Sequence, residues 1–194
     1  MADLSLPVPD VARQVAFHEL LLVARKDWLI DAVNEALGRV DPERLRSELA
    51  TFVPAESHRL LAIAGLPDEH LFPLPVVLEA KPSLIGYYRL LLGIPRKTFY
   101  ASGTGMGRYK VMEEKGTIRT NQVSLLPPFC DAMGSAVAEL VQQLAPSISR
   151  RDLIELPVLT LGQQFQGANN NTIGSEAITG VFRSHRRDLG AAQY

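Results

Sequence analysis

Cysteine is almost missing from this chain. Its 194 residues include one, Cys130, which excludes an internal disulfide and a cysteine-based zinc site and fits a reducing, cytoplasmic setting. The four histidines, His18, His58, His70 and His185, contain no pair at metal-ligand spacing. No stretch reaches the roughly 18 consecutive apolar residues of a membrane span, and the opening MADLSLPVPD lacks the basic-then-apolar order of a signal peptide. A Gly-x-Ser-x-Gly elbow is absent, and no Gly-Lys-Ser/Thr follows the glycine-rich stretch to make a Walker loop. Neither sign of charge is in excess: 20 Lys+Arg face 21 Asp+Glu, and a net charge of −1 argues against non-specific nucleic-acid binding by the whole surface. What is present, 46% hydrophobic and 21% charged residues, is the composition of a soluble globular domain rather than a disordered tail, a fibre or a coiled-coil rod.

Along the chain, residues 1–65 read as a helical N-terminal region. Asp10 is a candidate N-cap for a helix whose stripe of Val11, Val15, Leu22, Leu29, Val33 and Leu37 runs to Gly38, placed to close it in the left-handed conformation. Asp41-Pro42 marks a second start, an N-cap followed by proline at the first helical position, and Glu56 to Ala64 a third helix stopped by Gly65. Residues 66–194 read as a DNA-interacting, nuclease-like region continuous with the first in one globular domain. In it, the proline-rich LPDEHLFPLP leads into Val76-Val77-Leu78, which predicts a buried strand over 76–80. Ser83 caps a helix to Gly93, and Pro127-Pro128 opens another carrying Phe129, Met133, Val137, Leu140, Val141 and Leu144. The β-branched start of VLTLGQQF predicts a second strand over 158–165, and Ser175 caps a final helix. The expected architecture is mixed α+β, helix-rich, with a restriction-endonuclease-like α/β unit around a small central sheet.

Pro67-Asp68, ten intervening residues, then Glu79-Ala80-Lys81 spell the PD-(D/E)xK nuclease pattern. On a strand, Glu79 and Lys81 point to one face. Asp68 and Glu79 then read as ligands of Mg²⁺, a hard ion held by oxygens, and Lys81 as the group beside the attacking water. Asp68, Glu79 and Lys81 are thus the candidate catalytic residues, although so short a pattern also arises by chance. Cys130, near the start of a helix with no histidine close in sequence, reads as a buried structural residue.

The near-zero net charge conceals a basic block. From Arg89 to Arg119 there are seven basic residues (Arg89, Arg96, Lys97, Arg108, Lys110, Lys115 and Arg119) against Glu113 and Glu114. Tyr87, Tyr88, Phe99, Tyr100 and Tyr109 are interleaved, and GTGMGRYK lets the backbone approach a phosphate. Such a block can track a nucleic-acid backbone; a solvated loop with aromatic anchors is the equal alternative. The amides Gln163, Gln164, Gln166, Asn169, Asn170 and Asn171 follow the second predicted strand. Candidate DNA contacts are therefore Arg89, Arg96, Lys97, Arg108, Lys110, Gln164, Asn169 and Asn170.

Gly86-Tyr87-Tyr88-Arg89-Leu90-Leu91-Leu92-Gly93, Lys97 with Phe99-Tyr100, the glycines around Arg108, and Leu161-Gly162 through Gly174 resemble type II restriction endonucleases of the XcyI type over roughly residues 70–185. The resemblance implies a Mg²⁺-dependent enzyme that hydrolyses double-stranded DNA at a short palindrome, CCCGGG being the family's named type. It also implies a homodimer, since a two-fold site suits a two-fold protein. Members of that family continue past the Arg-rich RSHRRDL segment, so the resemblance also carries the expectation of a truncated, inactive N-terminal portion. Two other readings of the residues stand beside it: a non-catalytic DNA-binding or regulatory module, and a helical protein-interaction domain.

Overall fold

The computed structural model describes residues 11–144 and 147–169. Among the described residues eleven α-helices follow one another: α1 (Val11–Asp27), α2 (Ile30–Leu37), α3 (Pro42–Phe52), α4 (Ala55–Ala64), α5 (Pro75–Ala80), α6 (Ile85–Leu91), α7 (Arg96–Phe99), α8 (Lys110–Lys115), α9 (Thr120–Val123), α10 (Leu126–Leu144) and α11 (Arg150–Asn169). Short 3-10 turns occupy Asp68–His70, Pro82–Leu84 and Met106–Tyr109. Among the described residues there is no strand.

The expected α+β architecture with a central sheet is therefore corrected, over the described residues, to a helical one, and both predicted strands are helices. Pro75 stands at the first position of α5, where its fixed φ suits a helix. The Glu48 carboxylate of α3 accepts the Val76 N–H at 2.7 Å, satisfying a donor that the first turn leaves free. The bonds Leu78 N–H to Leu74 O (3.0 Å) and Lys81 N–H to Val77 O (2.9 Å) then close helical turns. Val76, Val77 and Leu78 are all buried, and an apolar run buried on every side looks the same in a strand and in a short central helix. The 158–165 segment lies inside α11, where Leu153, Leu161 and Phe165 share the buried stripe of helical period. Thr160 turns its hydroxyl back to donate to the Leu156 carbonyl at 3.2 Å, the local bond by which a β-branched residue sits in a helix.

Several helix boundaries follow from local chemistry as expected. Asp41 caps α3, accepting the Arg44 N–H at 2.9 Å with Pro42 at the first helical position. Gly65 ends α4 at φ 68°, a left-handed conformation that favours glycine. Gly38, by contrast, stays right-handed at φ −67°, and the first predicted helix is broken at Trp28-Leu29 into α1 and α2. Ser83 lies within a 3-10 turn and donates to the Asp27 carbonyl at 3.2 Å instead of capping α6. Asp10 and the helix expected after Ser175 lie outside the described residues.

The main core gathers α2, α4, α5, α6, α8 and α10, together with Leu153 of α11. A smaller cluster joins Leu20, Ala24, Leu29 and Leu90 to Leu161 and Phe165, so that α1 and α11 pack on α6. Helix α6 is the centre of both: every residue from Ile85 to Leu91 is buried. Gly86 has no side chain because a Cβ there would stand 3.1 Å from Trp28 Cδ1 and 3.4 Å from the Glu113 carboxyl carbon. Cys130 is fully buried on α10, and burial pushes its thiol well above the ordinary range, which leaves it inert.

One buried ion pair crosses this core. Arg89, 4% exposed, donates from Nη2 to Glu113 Oε1 at 2.9 Å, from Nε to Glu113 Oε2 at 3.2 Å and from Nη1 to the Ile94 carbonyl at 2.8 Å. Tyr100 donates its hydroxyl to Glu113 Oε2 at 2.6 Å. Arg89→Ala strands the Glu113 charge in the core and is expected to destabilise the fold by about 3–5 kcal/mol. Arg89→Met/Glu113→Leu, which removes both charges, should lose less than Arg89→Met or Glu113→Leu alone. Urea unfolding of the three variants checks this, and additive losses would rule out the coupling.

Candidate nucleic-acid interface and the nuclease-pattern residues

Asp68, Glu79 and Lys81 each bond to a different helix. Asp68 opens the 3-10 turn after α4, and its Oδ2 meets His58 Nδ1 of α4 at 2.5 Å. Its Oδ1 is buried without a partner among the described residues. Glu79, in the last turn of α5, receives both terminal nitrogens of Arg44 at 2.8 and 2.6 Å. Arg44 Nε donates to Glu48 Oε1 at 2.9 Å, so one guanidinium joins α3 to the end of α5. Those hydrogen bonds, the one to Glu79 foremost, hold Arg44 still more firmly protonated than usual. Lys81, just past α5, donates to the Lys26 carbonyl at 2.9 Å and to Glu35 Oε2 of α2 at 2.6 Å.

No two of the three bond to each other. Because residues 75–80 coil, Glu79 and Lys81 do not share the strand face expected of them. Among the described residues there is also no group of three or more His, Cys, Asp or Glu side chains able to hold a metal ion. As arranged, both oxygens of Glu79 are taken by the Arg44 guanidinium. The partners His58, Arg44, Glu48 and Glu35 escaped sequence reasoning. Only Arg44-Glu48 carries a local signal, its i,i+4 spacing.

The candidate DNA contacts fall into distinct settings. Arg89 is in the core, its guanidinium spent on Glu113 and Ile94. Arg96 on α7 pairs through Nη2 with Glu114 of α8, and Lys110 Nζ lies 3.8 Å from the same carboxylate. Lys97 and Arg108 are exposed, as are Lys115 and Arg119, and none of the four has a carboxylate partner among the described residues. Gln122 of α9 draws two of these segments together: its Nε2 donates to the Arg108 carbonyl at 3.2 Å, and its Oε1 accepts the Arg119 N–H at 3.0 Å. Arg96, Arg108, Lys110 and Arg119 therefore gather around α8. Gln164 is half-buried on α11, with an Nε2 that finds no partner among the described residues. Asn169 ends that helix, and Asn170 lies outside the described residues.

Residues 19–188 match the family described as XcyI restriction endonuclease. The chain belongs to the XcyI restriction endonuclease family. It is 38% identical over 177 residues to the type II restriction enzyme Cfr9I of Citrobacter freundii, an alignment covering 90% of this chain and 54% of that protein. With the type II restriction enzyme XcyI of Xanthomonas campestris pv. cyanopsidis it is 37% identical over 192 residues, 97% of this chain and 57% of that protein. The chain thus spans about half the length of the curated relatives it matches. No solved structure matches it. The family match runs through α2 to α11 and so contains both the nuclease-pattern residues and the basic cluster. No helix among the described residues is long and apolar enough to cross a membrane.

The Glu35–Lys81 contact predicts a pH dependence. The hydrogen bond from Lys81 lowers the Glu35 carboxyl below its ordinary value of 4.5. A carboxylate depressed by folding stabilises the native state above its unfolded pKa and loses that contribution as pH falls through the folded one. Lys81→Met should therefore be less stable than the parent at about pH 7, with the gap closing toward about pH 3. Denaturant unfolding at both pH values measures it; an unchanged gap would show that the pair contributes nothing.

Proposed function

We propose that this chain serves a type II restriction endonuclease that hydrolyses double-stranded DNA at a short palindromic site, CCCGGG being the first to try, as a homodimer dependent on Mg²⁺. The family match across residues 19–188 is the observation that carries the reading. The exposed cations around α8 support it. Phosphate contacts fix a protein's register on duplex DNA through sequence-independent charge, and Lys97, Arg108, Lys110 and Arg119 offer such contacts on short helices and turns. Arg89 serves beneath them, holding α8 and the Ile94 carbonyl against α6 so that the cations sit on a fixed base.

A second reading has an observation of its own. The nuclease-pattern carboxylates are engaged by His58 and Arg44, an arrangement suited to a portion that binds DNA without cutting it. Asp68, Glu79 and Lys81 serve as the catalytic set only if those ion pairs open on DNA.

Cleavage and binding measurements separate the readings. Purified chain with Mg²⁺ and a CCCGGG-bearing plasmid should yield defined fragments that EDTA suppresses; binding without cleavage at any ratio selects the non-catalytic reading. Glu79→Ala should abolish cleavage while leaving duplex binding largely intact, whereas normal cutting would remove Glu79 from the catalytic set. Lys97→Ala, Arg108→Ala and Lys110→Ala should each weaken binding to any duplex and reduce the salt slope by about one. A wild-type chain indifferent to duplex DNA at low salt would defeat both readings. Sedimentation on a palindromic duplex should show two chains per DNA.

A further inference from the structure

We propose that Glu114 is a built-in competitor for DNA phosphate, a carboxylate placed on the basic face to weaken its hold on DNA of any sequence. The inference rests on the reading of that face as DNA-contacting. Residues 89–119 contain two acids, and the structure separates their roles. Glu113 turns into the core, 6% exposed, beneath Arg89 and Tyr100. Glu114, its side chain 37% exposed, turns outward and is the one exposed carboxylate of the block. It binds Arg96 Nη2 and stands 3.8 Å from Lys110 Nζ, so one anion occupies two candidate phosphate contacts at once.

Exposed ion pairs of this kind stabilise a fold very little. Their effect on the local potential is larger, because a phosphate reaching Arg96 or Lys110 must displace Glu114 or share its cations. An internal anion exchanged for a phosphate has a specific signature. DNA still sheds its condensed counterions, but the released carboxylate takes up a cation, so affinity falls less steeply with salt than the number of contacts implies. Lys97, Arg108, Lys115 and Arg119 carry no such brake among the described residues.

The test uses a labelled random-sequence duplex and fluorescence anisotropy between about 50 and 200 mM salt. Glu114→Gln keeps the shape of the side chain and an acceptor for Arg96 while removing the charge. It should bind about fivefold more tightly, the weight of one charge at contact distance in water, with a salt slope steeper by up to about one. Glu114→Lys should bind more tightly still. Glu56→Gln on α4, which removes the same net charge from another helix, should change affinity less. Circular dichroism should show all three folded with melting close to the parent. Affinity equal to wild type, or no greater than for Glu56→Gln, overturns the proposal while a loss of binding in Arg108→Ala/Arg119→Ala leaves the DNA face standing. If that double variant also binds normally, the face itself is wrong, and if no variant binds the duplex both ideas fall.

Discussion

The Arg89–Glu113 pair is the contact on which the rest of this structure hangs. It crosses the core between α6 and α8 and is completed by the Ile94 carbonyl and the Tyr100 hydroxyl. Burial, reinforced by the Glu113 charge, pushes the Tyr100 phenol far above its ordinary range, so it stays a neutral donor. A charge buried this deeply persists only when paired and hydrogen-bonded, and here each nitrogen of the Arg89 guanidinium and the Tyr100 hydroxyl has an acceptor. The consequence is positional. Short helices such as α7, α8 and α9 have too few turns to be stable alone; their place is set by this pair and by aromatic contacts such as Tyr109 against Phe129, ring centroids 4.7 Å apart.

That arrangement explains why the segment carrying the family resemblance most densely is core and not surface. Gly86 to Leu91 of GYYRLLLG lie in α6 and are all buried, with Tyr87 donating to the His70 carbonyl at 2.7 Å and Gly86 leaving room for Trp28 and Glu113. The residues that meet DNA in the proposed role lie on the turns around it, held in register by side chains such as Gln122. A rigid helical centre with a charged periphery lets the exposed residues change without moving the scaffold.

Where the chain announced its own helices, it did so through caps and periodicity. Asp41-Pro42, Gly65 and the Phe129–Val141 stripe of α10 are local signals, and they hold. The two segments taken for strands carry weaker signals: Pro75 at the first position of α5, and in α11 a stripe of Leu153, Leu161 and Phe165 that the β-branched letters obscure. Val76-Val77-Leu78 is apolar on all sides, and the group that ends the ambiguity is Glu48, which meets the Val76 N–H from 28 residues away. VLTLGQQF begins with β-branched residues, yet packing along α6 and α1 outweighs that modest preference. The nuclease pattern was legible as letters; the coil of α5 and the partners of its residues were not.

Composition, cap chemistry and the basic block follow from the order of residues alone, because each depends on neighbours a few positions apart. Family membership is carried by the sequence in the same way. Which charges are free is a different kind of property. Arg89, Arg96 and Lys110 look alike as letters, but Glu113 takes the first into the core while Glu114 holds the other two at the surface. Glu79 is covered by Arg44, 35 positions earlier, and Lys81 by Glu35, 46 positions earlier. Tertiary structure decided these pairings because an ion pair depends on distance in space, and no local rule connects residues that only the folded core brings together.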